Sequence, residues 1–142
     1  MMMRRCVPMI AVVLAAVLAT AAVYATDKDA KPSISVRASP AFAFAPARIV
    51  FRADLRGGPD DYEAYYCPGV EWEWGDGTTS EAFQDCEPYE AGKSQIKRRY
   101  VGEHTFQQAG RFRVVFKLKR NSKVIVAANV TVEVRPGVRE PF

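Results

Sequence analysis

The sequence predicts an all-β chain folded as an antiparallel two-sheet sandwich. Apolar and polar residues alternate with a period of two in several short stretches, the pattern of strands with one buried face. Residues that favour turns separate these stretches at the spacing common in β-sandwiches. Helical periodicity is missing after residue 26. The large apolar residues of the strands suffice for one core, so a single sandwich domain is expected.

The N-terminus reads as a secretory signal peptide spanning residues 1–25. Arg4 and Arg5 precede an apolar run from Val7 to Val23, and Ala25 supplies a small residue at the exit. The run also approaches the roughly 17 to 20 residues that span a bilayer, so an uncleaved membrane anchor is the alternative. The sequence therefore predicts a secreted or periplasmic domain, or one anchored outside the cytoplasm. The boundaries are 1–25 signal, 26–32 lead-in, 33–136 sandwich and 137–142 tail.

The charge balance argues against a nucleic-acid partner. The chain holds 20 basic and 16 acidic residues, and loss of Arg4 and Arg5 with the signal leaves 18 basic against 16 acidic. So small an excess does not favour polyanion binding. A membrane contact is expected only if the N-terminal segment stays attached.

The predicted strands follow one another with turns between them. The first, near Ile34, is edge-like, and the next segment carries Phe42 and Phe44 on one side, between two prolines. In residues 47–55 and 111–119, alternate apolar side chains face inward. The last strand aligns its valines on one face. The predicted strand ranges are 34–38, 47–55, 70–74, 80–86, 94–106, 111–119 and 124–134, and the aligned valines are Val124, Val126, Val130, Val132 and Val134.

The strand around Trp72 and Trp74 is the expected centre of the core. Both tryptophans of the chain lie here, alternating with Glu71 and Glu73, and Asp76-Gly77 supplies the residues of a tight turn. We expect Asp76 to bond backbone amides of that turn.

Cys67 and Cys86 bracket this strand, and an oxidising compartment predicts a disulfide between them. Closing a loop of this length contributes about 3 kcal/mol in the chain-entropy model. A two-cysteine metal site is the weaker alternative, because it needs further ligands and His104 is the chain's only histidine.

Three motifs in order resemble the PKD domain, the polycystic kidney disease repeat. They are Trp72-Glu-Trp-Gly-Asp-Gly-Thr78, His104-Thr-Phe106 and Gly110-Arg-Phe-Arg-Val-Val-Phe-Lys-Leu118, followed by the valine-rich strand. The similarity spans roughly residues 33–135. It implies an immunoglobulin-like sandwich that acts as an extracellular or envelope module for protein or carbohydrate contact, without catalysis. It also implies structural roles for the motif residues, namely Trp72, Trp74, Gly75, Asp76, Gly77, His104, Phe106, Gly110 and Phe112.

Charge is partitioned along the chain. Residues 57–92 contain ten acids and neither lysine nor arginine, and residues 93–123 contain ten bases and one acid, Glu103. A two-faced surface that binds a charged partner or drives head-to-tail association is one interpretation. The favoured one is pairing within a sheet, with Glu71 and Glu73 opposite Arg111, Arg113 or Lys117.

The candidate binding residues lie in the tyrosine-rich and acidic loops around the cysteines. Exposed tyrosines offer flat apolar area with a polar tip, which suits a protein or sugar surface; the alternative is that they only cover the disulfide. The acids could ligate Ca²⁺, with help from Glu63, Asp76 or Asp85, but a solvated loop is favoured and no cofactor is expected. The candidates are Tyr62, Tyr65, Tyr66, Tyr89, Asp60 and Asp61.

The functional prediction is an exported, non-catalytic interaction module. The alternative is a carbohydrate-binding module accessory to a secreted hydrolase. His104 could in principle act as a general base, but no motif supplies a nucleophile or an orienting acid.

Overall fold

A computed structural model describes residues 30–138 and builds them from eight strands and one 3₁₀ turn. The predicted signal peptide or anchor, part of the lead-in and most of the tail lie outside these residues. Within the described range, the helical content is too short to span a membrane. The strands are β1 (Ser33–Ser39), β2 (Phe42–Phe44), β3 (Ala47–Arg56), β4 (Gly69–Glu73), β5 (Thr79–Ala82), β6 (Arg99–Phe106), β7 (Gly110–Arg120) and β8 (Lys123–Arg135), and the turn is Glu63–Tyr65.

The strands form two packed sheets, which confirms the predicted all-β sandwich. The smaller sheet has the order β1-β3-β6 and the larger has the order β2-β8-β7-β4-β5. The sandwich is not wholly antiparallel, because the short strand β2 pairs with β8 in parallel. This exception arises because the chain leaves the smaller sheet after β1 and continues in the same direction along the larger one.

The core forms where the inward faces of the two sheets meet. Phe51 of β3 lies with its ring centroid 5.4 Å from Trp74 and 6.1 Å from Trp72 across the interface. Phe116 of β7 lies 4.6 Å from Trp72. Each of these side chains is almost fully buried, and burial of one large apolar side chain contributes about 1.5–3 kcal/mol.

The outward glutamates of β4 do pair with β7, as the charge pattern predicts. Lys117 contacts both Glu71 and Glu73, and Lys119 contacts Glu71 at 2.6 Å. The prediction was wrong for Arg111 and Arg113, which lie opposite Glu133 and Thr131 of β8, beyond the end of β4.

A bulge in β8 overturns the predicted alignment of its valines. Leu118 lies opposite Val126 and Lys119 lies opposite Val124, so Ile125 is the extra residue. Because side-chain direction alternates along a strand, one extra residue moves Val124 to the outer face. Val124 is accordingly 44% exposed, whereas Val132 is fully buried.

The connection from β5 to β6 is irregular over residues 83–98, whereas the sequence predicted strand at both of its ends. Ile96 is buried as expected, but its amide donates to the carbonyl of Asp60 at 2.7 Å, outside any ladder. Arg98 joins the same connection to the 57–61 loop, because its guanidinium donates to the carbonyl of Gly57 and to the carboxylate of Asp60, each at 2.8 Å. Bonds to the 57–61 loop thus replace strand pairing here.

Candidate binding site

The aromatic strand β4 ends in a stack of three rings. Trp72 and Trp74 are 5.3 Å apart with planes 1° from parallel, and His104 lies 4.7 Å from Trp74 at 4°. Gly102 of β6 makes room for the indoles, because a Cβ there would lie 2.8 Å from the Trp72 ring. The stack is thus part of the core and leaves little of either indole for a partner.

Asp76 ties the turn after β4 to β6. Its carboxylate accepts the Thr78 amide at 3.0 Å and lies 2.6 Å from Nε2 of His104. Burial works to raise the pKa of Asp76, but the hydrogen bonds from Thr78 and His104 prevail and hold that pKa below its usual value. This geometry gives Asp76 and His104 a structural task.

Two glycines of the turn adopt a positive φ, and one of them also lies close to the backbone of β7. Gly75 has φ +82° and Gly77 has φ +88°, a region that favours glycine. A Cβ on Gly75 would lie 2.6 Å from the carbonyl oxygen of Arg113. After Gly110, Phe112 stacks on Phe106 with centroids 4.6 Å apart. These motif residues all support the fold.

The four candidate tyrosines have different environments. Tyr65 is 1% exposed, which removes it from any contact surface and corrects its place among the candidates. It is buried because the 3₁₀ turn directs it under Tyr62, whose ring packs edge-on at 4.9 Å. Burial raises the pKa of Tyr65.

Tyr66 and Tyr89 form a rigid pair above the disulfide. The Tyr66 hydroxyl donates to the carbonyl of Glu87 and the Tyr89 hydroxyl donates to the carbonyl of Asp61, each at 2.6 Å. Their ring centroids are 5.5 Å apart. Both rings are half-buried, so each keeps one side toward solvent.

This tyrosine pair forms one wall of a groove of about 510 Å³. The disulfide Cys67–Cys86, with Cα atoms 6.1 Å apart, and the β7–β8 turn at Asn121 and Ser122 also line it. Phe83 stands at the rim with 79% of its surface exposed. A Cβ on Gly69 would lie 3.0 Å from the Phe83 ring, so the ring rests over Gly69 of β4. We call this feature the tyrosine groove.

The tyrosine groove carries both signs of charge. Glu81 and Glu87 lie along it together with Lys119 and Arg120. Lys119 bridges Glu71 and Glu81, and its hydrogen bond is the main cause that lowers the pKa of Glu71 to about 2. The groove therefore combines charged groups of either sign with the aromatic rings of Tyr66, Tyr89 and Phe83.

Neither a protein-family model nor a curated protein sequence matches the chain. Solved structures do resemble it. The PKD domain of an M14-like peptidase from a Thermoplasmatales archaeon aligns with a TM-score of 0.50 at 16% identity, covering 74% of this chain and 97% of that one. A CARDB domain from Pyrococcus furiosus, solved in complex with di-metal ions, aligns with a TM-score of 0.47 at 10% identity, covering 75% and 94%.

The chain has a PKD-like, immunoglobulin-like fold. The structural likeness and the three sequence motifs agree on this fold. At such low identity the likeness extends to the fold and no further, so what the PKD-like domain binds must be argued from its own surface.

The acidic residues proposed for contact or for Ca²⁺ are engaged inside the PKD-like domain. The Asp60 carboxylate pairs with Arg98 at 2.8 Å, and the Asp61 carboxylate accepts the amide of Gly92 at 2.8 Å. Among residues 30–138, no three His, Cys, Asp or Glu side chains converge as metal ligands would. The binding roles of Asp60 and Asp61 stay predictions.

The sequence missed Phe83, the most exposed aromatic residue of the groove. The available signal was a lone phenylalanine three residues before Cys86 in an acidic stretch. β5 ends at Ala82 with all four of its residues exposed, and Phe83 follows it with 79% of its surface exposed.

Proposed function

We propose that this PKD-like domain is an exported, non-catalytic interaction module that binds a protein of the envelope or extracellular space through the tyrosine groove. The exposed ring of Phe83 is the observation that carries this proposal. An apolar side chain 79% exposed beside a groove is costly in water and gains about 1.5–3 kcal/mol when a partner covers it.

The groove is already rigid, which favours binding. The hydroxyl bonds of Tyr66 and Tyr89 and the disulfide fix its wall, so little conformational entropy is lost on association. Aromatic anchors in a fixed setting are the residues that dominate binding free energy at interfaces.

The disulfide and the signal-like N-terminus support export. A disulfide joining the edge of the 3₁₀ segment to the loop after β5 persists in an oxidising compartment and is uncommon in the cytoplasm.

A carbohydrate is the second candidate ligand, and the Tyr66–Tyr89 pair favours it. Two fixed phenol rings with carboxylates and a lysine nearby can stack on a sugar face and bond its hydroxyls. A role beside a secreted hydrolase would follow from such binding.

The test is quantitative capture from the envelope fraction of the source cells, run with wild type, Phe83→Ser and Phe44→Ser. Each variant removes one exposed phenyl ring, since Phe83 is 79% exposed and Phe44 is 55% exposed. Phe44 lies on β2, outside the groove. We expect one retained protein that Phe83→Ser loses at least tenfold and Phe44→Ser keeps, a change equivalent to about 1.4 kcal/mol.

A glycan array with the same three proteins separates the two ligand classes. Glycan binding lost only with Phe83→Ser would favour the carbohydrate. Equal behaviour of Phe83→Ser and wild type in both assays would contradict the groove as the contact surface.

A further inference from the structure

The strand β6 ends the smaller sheet and keeps one edge unpaired. Within residues 30–138, β6 pairs with β3 alone, and it is eight residues long. The other edge strands of the described fold are less open. β2 has three residues, β5 has four, and β1 lies against β8. An edge of this length is a template for another strand.

The backbone groups of β6 that point outward can be identified from one hydrogen bond. The Leu55 amide donates to the carbonyl of Arg98 at 2.8 Å, in line with the β3–β6 register that continues from Asp54 opposite Arg99. Hydrogen-bonded pairs alternate along an antiparallel ladder. Arg99, Val101 and Glu103 therefore direct their N–H and C=O groups to the free edge.

The side chains of the same three residues are exposed. Val101 is 63% exposed, which is unusual for a valine in the middle of a strand. The side chains of Arg99 and Glu103 are 63% and 45% exposed while they pair with Asp54 and Arg48 on β3. The edge thus presents a positive, an apolar and a negative side chain in sequence order.

We propose that β6 pairs antiparallel with β6 of a second copy of this chain, with Val101 on the two-fold axis. In this register Arg99 lies opposite Glu103 of the second copy, and Val101 lies opposite its own counterpart. The outward backbone groups of all three residues then meet in hydrogen-bonded pairs. Edge charges usually prevent such pairing, but here the order of signs makes the edge complementary to itself.

The inner face fits the same register. Tyr100, which is buried in the core of its own copy, lies opposite Gly102 of the second copy, which has no side chain to clash with it. The row of charges continues across the joined sheet from Asp54 and Arg99 to Glu103 and Arg48 of the second copy. A continuous sheet of six strands, three from each copy, would result.

The test measures sedimentation velocity of the exported full chain over a wide concentration range. We expect a reversible dimer for wild type. Arg99→Glu and Glu103→Arg each place like charges opposite each other, so each alone should shift the dimer dissociation constant upward at least tenfold. Arg37→Glu, an equal charge reversal on the exposed face of β1, should leave dimerisation unchanged.

Mixing the two single variants separates pairing from a general loss of structure. An Arg99→Glu chain and a Glu103→Arg chain match only each other, so their mixture should form a heterodimer that neither forms alone, and the double variant should dimerise again. If a reversed variant fails to fold by circular dichroism, Val101→Lys places two positive charges on the axis and should abolish the dimer. A monomeric wild type at every concentration, or a dimer indifferent to these changes, would overturn the proposal.

Discussion

Asp76 shows how one side chain can fix a turn and its position against a second sheet. Its carboxylate accepts a hydrogen bond from the Thr78 amide and also contacts Nε2 of His104. The His104 ring in turn packs on Trp74. The sequence predicted the bond within the turn, because Asp before Gly is a turn signal. The family resemblance implied a structural role for His104 but not this contact, because no local pattern encodes a partner 28 residues away.

Replacing Asp76 by Ala should lower the free energy of unfolding by about 1–3 kcal/mol, because the Thr78 amide and His104 both lose their acceptor. Denaturant unfolding measures this change. Asp85→Ala removes an exposed carboxylate of the same kind and should stay within about 0.5 kcal/mol of wild type. Equal stability of the two variants would contradict the role given to Asp76.

The lowered pKa of Glu71 predicts how the free energy of unfolding depends on pH. Its pKa is about 2 in the folded domain against an ordinary 4.5, mainly through the hydrogen bond from Lys119. A lowered folded-state pKa stabilises the fold above about pH 4.5, and this contribution is lost as the pH falls from 4.5 to about 2.

Glu71→Gln should therefore reduce the slope of unfolding free energy against pH in this window, as measured by thermal or denaturant unfolding at a series of pH values. Glu63→Gln, which removes an exposed carboxylate, is the matched control and should keep the wild-type slope. An unchanged slope in Glu71→Gln would show that its carboxyl group titrates alike in both states.

At the scale of elements, β4 pairs with β5 and β7, and the disulfide at Cys67 lies just before its first residue. The period-two pattern predicted β3, β4 and β7 and their buried faces, because both periodicity and composition are local properties. The bulge at Ile125 and the irregular 83–98 connection depend on which strand lies alongside, so the same local patterns misplaced Val124 and extended strand into both ends of that connection.

Loss of the disulfide through paired Cys67→Ser and Cys86→Ser changes should lower the free energy of unfolding by about 3 kcal/mol. The bridged residues are 19 apart, and the bond limits the unfolded chain. Denaturant unfolding of wild type with reductant should reproduce the variant. If reductant leaves the midpoint of the exported wild type unchanged, the two cysteines are not bridged.

At the scale of the whole molecule, residues 30–138 form the tyrosine groove, for which a contact role is proposed, and leave an open sheet edge at β6. The tyrosines and cysteines singled out in the sequence include four residues that line this groove, and their binding role stays a prediction. The sequence could not rank those residues, because the burial of Tyr65 depends on the 3₁₀ turn and the position of the Phe83 ring depends on its contact with Gly69.

The tyrosine groove is proposed to contact a partner outside the cytoplasm. Site-specific photocrosslinking in living source cells tests it, with a benzophenone amino acid at position 83 and, as the control, at position 44. We predict a discrete crosslinked species from position 83 that position 44 does not give. No adduct at position 83, or the same adducts at both positions, would contradict the claim.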